Sequence, residues 1–229
     1  MNDDNIEVVD RFTYLGIKFN YTGNFRDAVK TLNEQALKAY NNLISIFSRV
    51  KLDVKTKLLL FDSLVVPIIT YGCEVWGIYN YSEVDKIHYK FCKYILGVRQ
   101  QTSNAAVLGE LGRFPLSVLC KERALKFWCK IMNSPDSLIR TVYDNNARDN
   151  SFVNIDTKLN WVKAVKSLID GLGYSYIFIN YNNETNYVPM LKQRLRDQYV
   201  QGWFDTVNSQ SKLEYYVKFK KEFRFEKIY

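Results

Sequence analysis

Leu32-Asn33-Glu34-Gln35-Ala36-Leu37-Lys38-Ala39-Tyr40-Asn41-Asn42-Leu43-Ile44-Ser45-Ile46-Phe47 is the stretch on which the fold class turns. Leu32, Ala36, Ala39, Leu43, Ile46, Phe47 and then Val50 recur at the spacing that gathers side chains on one face of a helix, while Lys30, Glu34, Lys38 and Asn41 fall away from it. Downstream the same period returns. Asp53 is placed to cap a second helix through Val54, Leu58, Phe61 and Val65, with Pro67 bending or ending it. A third starts near Ser82, with Glu83 and Asp85 against the positive end of its dipole, and runs through Ile87, Phe91 and Ile95 to Gly97. Residues 103–111 read as a short helix, and Pro115 suits the first turn of another carrying Leu116, Cys120, Phe127, Trp128 and Ile131.

Further on, Ser134-Pro135-Asp136 restarts a helix toward Tyr143, and the polar stretch 144–151 reads as a linker. Beyond it, Leu159, Val162, Val165, Leu168 and Ile169 predict a helix stopped by Gly171 and Gly173; a polar loop at 180–186 precedes two final helices over 189–203 and 212–225. Upstream of the deciding stretch, Arg11-Phe12-Thr13-Tyr14-Leu15-Gly16-Ile17-Lys18-Phe19 is rich in aromatic and β-branched residues and is followed by the turn residues Tyr21-Thr22-Gly23-Asn24, as in a hairpin. The expectation is a mainly α fold: a short N-terminal β-hairpin over 1–24, a helical domain over 25–147 and a C-terminal helical module over 148–229.

With 229 residues, 47% of them apolar and 24% charged, the chain can build real hydrophobic cores, which excludes intrinsic disorder. The longest apolar run, Val65-Val66-Pro67-Ile68-Ile69, is far below the roughly 20 residues that span a bilayer, and Met1-Asn2-Asp3-Asp4 lacks the basic start of a signal peptide. An intracellular protein, nuclear or cytoplasmic and without a membrane partner, is expected. Lys and Arg number 32 against 24 Asp and Glu, and the excess lies in 51–130 and 181–229. A net +8 favours an anionic partner. An AT-rich coding sequence would also enrich Lys, Asn, Tyr, Ile and Phe without any selection for binding.

Candidate chemistry is sparse. Cys73, Cys92, Cys120 and Cys129 form no C-x-x-C pair, and His88 is the one histidine, so neither a zinc site nor a catalytic triad is expected. Metal-dependent polymerisation needs carboxylates converging on two cations, whereas the one adjacent acidic pair, Asp3-Asp4, stands at a chain end. No catalytic residue, metal or cofactor is assigned. Two sets of basic residues remain. Lys86, Lys90 and Lys93 share one side of the third helix, with no acidic residue between them, and a phosphate backbone would relieve their repulsion. Arg123, Lys126 and Lys130 form a similar edge flanked by Glu122. Tyr79 and Tyr81, in a polar stretch, are candidates for stacking on bases, whereas Tyr71 and Trp76 are expected in the core.

Several short segments then follow one order: Phe12-Thr13-Tyr14-Leu15-Gly16; Pro67-Ile68-Ile69-Thr70-Tyr71-Gly72-Cys73-Glu74-Val75-Trp76; Phe91-Cys92-Lys93-Tyr94-Ile95-Leu96-Gly97; Glu110-Leu111-Gly112; and Pro115-Leu116. Their order resembles the C-terminal part of LINE-type (non-LTR) retrotransposon reverse transcriptases, downstream of the catalytic palm. Leu195, Gln198, Tyr199, Gln201 and Trp203, and then 215–220 and 225–227, are similar to later helices of the same proteins, so the resemblance covers nearly the whole chain. It implies that Phe12, Tyr14, Leu15 and Gly16 belong to a hairpin near the primer terminus, and that 25–100 act as a thumb gripping a template–primer duplex. The partners implied are RNA or an RNA–DNA hybrid, together with the palm and fingers of a full-length enzyme. The family's paired catalytic aspartates have no counterpart in this sequence, nor has its cysteine- and histidine-rich region, which implies a non-catalytic fragment, as from a truncated or decayed element. A helical structural or protein-interaction module, or a non-functional pseudogene fragment, with incidental basic charge is the alternative reading.

Overall fold

The computed structural model describes residues 9–79, 81–148 and 160–225. Strands β1 (Arg11–Tyr14) and β2 (Ile17–Asn20) pair antiparallel, with Tyr14 opposite Ile17 and Arg11 opposite Asn20, around a Leu15-Gly16 turn. Both turn residues have positive φ, the backbone that matches a two-residue hairpin loop to strand twist. Helices α1 (Arg26–Arg49), α2 (Val54–Leu64), α3 (Val66–Ile69), α4 (Cys73–Trp76), α5 (Glu83–Leu96), α6 (Asn104–Leu111) and α7 (Leu116–Met132) follow. After them come α8 (Ser137–Arg148), α9 (Trp161–Gly171), α10 (Ser175–Ile179), α11 (Val188–Ser209), a 3-10 turn (Ser211–Leu213) and α12 (Glu214–Phe219). The fold is therefore mainly α with an N-terminal hairpin, as the periodicity predicts.

The first core gathers Leu32, Ala36, Leu43 and Phe47 of α1 against Phe61 of α2, Ile69 of α3, and Ile87 and Phe91 of α5. Phe61 and Phe91 stack with ring centroids 3.9 Å apart, and each fully buried side chain of this size contributes roughly 1.5–3 kcal/mol. Asp53 caps α2 as expected, its carboxylate accepting from the Thr56 amide at 2.9 Å. A second core joins Leu125 and Trp128 of α7 to Val165 and Ile169 of α9, Ile177 of α10 and Leu191 of α11. Helix α7 is the wall common to both, since Leu116 and Cys120 near its start belong to the first. The boundary expected at 147–148 adjoins 149–159, which lie outside the described residues, as do Asp3-Asp4 and Leu159. On either side of that stretch, packing continues from Trp128 to Val165.

Two expectations are corrected. Asp144, Asn145 and Asn146 are not linker but helix: Tyr143 is buried under α7, its hydroxyl accepting from Trp128 Nε1 at 3.1 Å, and Arg140 pairs with Asp144 at 3.3 Å. The helix expected over 212–225 ends at Phe219. There the chain bends so that Lys220 is buried, donating to the Arg224 carbonyl at 2.8 Å, and Phe223 enters a cluster with Phe114, Tyr199 and Trp203. The short helices α3, α4 and α10 carry too few residues to show a period. Close approach of α6 to α11 depends on Gly109, where a Cβ would stand 2.6 Å from the Trp203 ring.

Candidate nucleic-acid interface

On α5 folding removes one member of the basic stripe. Lys86 is exposed and lies 3.9 Å from Glu83, and Lys90 places its ammonium 5.1 Å from the centre of the Tyr40 ring. Lys93 is the clearest correction: it is 7% exposed and donates to the Gln100 carbonyl at 2.7 Å. The cause is the helix end. Gly97 adopts the left-handed conformation, with Val98 N–H bonded to the Lys93 carbonyl, and the reversed chain carries Gln100 back over Lys93. Burial, and then the neighbouring charge of Lys212, lower the Lys93 pKa.

Helix α7 treats its basic edge differently. Its inner face is fixed by Leu125 and Trp128 and by Glu122, 3% exposed, which accepts from Arg196 Nε at 2.6 Å and Nη2 at 3.1 Å and has Lys192 at 3.9 Å. This clamp to α11 sets the helix's rotation and leaves Lys126 and Lys130 outward. Both are exposed, and among the described residues neither joins an ion pair. They line an open cleft of about 520 Å³ together with Glu74, Phe127, Asn133 and Asn186. Its wall is held by Trp161, which donates to the Glu74 carbonyl at 3.1 Å and meets Phe127 edge-on. Arg123 also lines the cleft, but its guanidinium is committed inward, donating to Thr70 Oγ1 at 3.0 Å, so it ties α7 to the end of α3.

The tyrosines exchange places. Tyr79 is half-buried in the second core, where burial above all raises its hydroxyl pKa to about 12. Tyr81 is half-buried edge-on to Trp76, its hydroxyl 3.4 Å from Asn24 Oδ1. Both are thus half-buried, whereas the sequence reading expects them exposed. Tyr71, expected in the core, is instead 47% exposed, while Trp76 is buried and donates to the Tyr71 carbonyl at 3.0 Å. On the hairpin, Phe12, Tyr14 and Leu15 are exposed, as is Gly16, and Ile17 alone of the strand residues is buried, lodging against Gly72. Tyr14, Leu15 and Phe19 face Pro67 and Tyr71 across a second cleft of about 520 Å³.

Buried titratable groups elsewhere serve the packing. His88 of α5 is fully buried, stacked on Phe61 of α2; its Nε2 accepts from Arg113 Nε at 3.0 Å, and Arg113 forks onto Asp62. Burial, reinforced by the Arg113 charge, pushes its pKa down to about 3, so the imidazole stays neutral. Sequence periodicity places His88 in α5 but gives no sign of Arg113 or Asp62. Cys92 and Cys129 are likewise pushed up by burial, to about 12 and about 11, which removes thiolate character. Among the described residues no three His, Cys, Asp or Glu side chains are grouped to hold a metal ion, and no helix is long and apolar enough to cross a membrane.

No protein-family model matches the chain, and no solved structure matches it. A transposon-derived protein of Caenorhabditis elegans is 32% identical to this chain over 71 residues. That stretch is 31% of this chain, and the chain spans about a quarter (25%) of the relative's length. The chain is thus distantly and partially similar to a transposon-derived protein.

Proposed function

We propose that this chain is a non-catalytic helical part of a retrotransposon RNA-directed DNA polymerase, holding RNA or an RNA–DNA hybrid by its phosphates. The partial similarity to a transposon-derived protein supports the retrotransposon origin, as does the order of segments from Phe12-Thr13-Tyr14-Leu15-Gly16 to Pro115-Leu116. The observation that carries the binding role is the pair Lys126 and Lys130, two exposed ammonium groups that have no carboxylate partner among the described residues and stand at the rim of one concave surface. Such contacts position a backbone and read no sequence. The test is binding of an RNA–DNA hybrid across a salt series: affinity should fall linearly with log salt and be indifferent to sequence. Primer extension with magnesium or manganese, abolished by changing a residue of this chain, would contradict the non-catalytic role.

A second reading, a protein-interaction module, is favoured by the hairpin. Phe12, Tyr14 and Leu15 are each more than half exposed, an apolar surface that a lone soluble domain seldom presents. On this reading the occupant is the palm of a full-length polymerase, and residues 9–24 of the isolated chain should be the least protected in hydrogen exchange. Protection there equal to that of α1 and α2 would remove the need for such a partner.

A further inference from the structure

Of the four cysteines, Cys73 and Cys120 are brought together by the fold, although the whole of α5 and α6 separates them in sequence. Cys73 opens α4, Cys120 lies early in α7, and both are buried. Between them stands Gly77, where an added Cβ would meet Cys120 Cβ at 2.6 Å and Cys73 Cβ at 3.1 Å. Only a residue without a side chain lets α4 and α7 approach so closely. The two thiols are hydrogen-bonded to each other. A disulfide needs its β-carbons roughly 3.5–4.5 Å apart, and here both converge on the space that Gly77 leaves empty.

The charge around the pair is uneven. Arg123 brings Nη1 to 4.0 Å from Cys73 Sγ. Hydrogen bonding with Cys120, reinforced by the Arg123 charge, holds the Cys73 thiol below its usual range in spite of burial, whereas the same bond and burial push Cys120 up. One sulfur is thus favoured as the thiolate, the form that attacks, and the other stays a thiol beside it. Access runs past the same arginine. Arg123 is half-buried and, with Glu74, lines both the α7 cleft and the hairpin cleft, so a displacement of its side chain opens the Cys73 sulfur to molecules little larger than water.

We propose that Cys73 and Cys120 are a peroxide-responsive modification site, forming a reversible disulfide that ties α4 to α7. The Cys73 thiolate attacks one oxygen of hydrogen peroxide: an S–O bond forms, the O–O bond breaks, and the departing hydroxide takes up the proton released by Cys73 and leaves as water. Cys120 then attacks the sulfenic sulfur: the S–S bond forms, the S–O bond breaks, and hydroxide leaves as water with the Cys120 proton. Together the two thiols lose two electrons and two protons, and the peroxide is reduced to two waters. The step uses neither Lys126 nor Lys130 and stands independently of the phosphate contacts proposed for them.

The test is exposure of the full, folded chain to hydrogen peroxide, followed by unfolding, alkylation of the remaining thiols and peptide mapping by mass spectrometry. Two of the four thiols should be lost, with Cys73 and Cys120 in one cross-linked peptide, and both should return with dithiothreitol. Cys120→Ala should halt the reaction at a Cys73 sulfenic acid that dimedone traps, and Cys73→Ala should leave Cys120 open to alkylation. Mapping of the unsubstituted chain decides the matter should either variant fail to fold. Peroxide that leaves all four thiols open to alkylation, a cross-link that takes in Cys92 or Cys129 instead, or a Cys73–Cys120 linkage that forms only after unfolding in urea would overturn the proposal.

Discussion

On α5 the basic side chains stand at 86, 90 and 93, and on α7 at 123, 126 and 130; as sequence the two triplets are near equivalents, each lying opposite an apolar face. In the fold they part. The α5 set is taken up one residue at a time, by Glu83, by the Tyr40 ring and by the Gln100 carbonyl. The α7 set gives up Arg123 to Thr70 and keeps Lys126 and Lys130 exposed at a cleft. Helical spacing states which side chains share a face, but what that face meets is decided by chain arriving from elsewhere.

The largest effect expected from breaking this contrast is on stability. Glu122 and Arg196 hold α7 in the rotation that exposes Lys126 and Lys130, so Arg196→Met strands a buried carboxylate with Lys192 at 3.9 Å as its remaining cation. Urea unfolding should show a loss of about 3 kcal/mol. Lys86→Gln, a change at an exposed pair, should stay within about 0.5 kcal/mol of the parent in the same assay.

Next comes affinity. If Lys126 and Lys130 each neutralise one phosphate, changing both to Gln removes two counter-ion release contributions, which at roughly 0.15 M salt amounts to about thirtyfold weaker hybrid binding. The matched variant Lys86→Gln, Lys90→Gln removes the same charge from groups already engaged within the fold. It should weaken binding by no more than about fivefold, the worth of a single contact.

The smallest effect concerns the joint between the two helices. Asp85 of α5 accepts from Ser117 N–H at 3.0 Å and Ser117 Oγ at 2.7 Å at the start of α7, yet burial raises its pKa despite those bonds. The native state therefore binds this proton more tightly than the unfolded chain. Stability must fall as pH rises from about 4 through the folded pKa. Asp85→Asn should remove that part of the pH dependence, so the parent loses stability relative to the variant as pH rises toward neutral; a constant difference across the range would mean that Asp85 titrates alike in both states.

Much of the fold was legible in the sequence. The period of Leu32 to Phe47, the cap at Asp53, the acidic start of α5 and Pro115 before α7 each act within one or two turns of chain, and each gave its element. What escaped depends on contacts across the molecule. Gly97 announces a helix end but not that the returning chain will cover Lys93. Tyr71 and Tyr79 differ in burial because the second core reaches Tyr79 from α9 and α11, more than eighty residues away in sequence. Arg196 as the partner of Glu122 lies 74 residues away and leaves no local signature.

The central claim is that α7, and not α5, presents the phosphate-binding charge. Its most direct test is the slope of log affinity against log salt for an RNA–DNA hybrid, measured on the parent chain and on the two double-lysine variants. The Lys126→Gln, Lys130→Gln slope should be flatter than the parent's by up to about 1.8, at roughly 0.9 per lost contact on a B-like duplex, with the Lys86→Gln, Lys90→Gln slope close to the parent's. Equal flattening in the two variants would show that net charge alone governs binding, and flattening confined to the α5 variant would reverse the assignment.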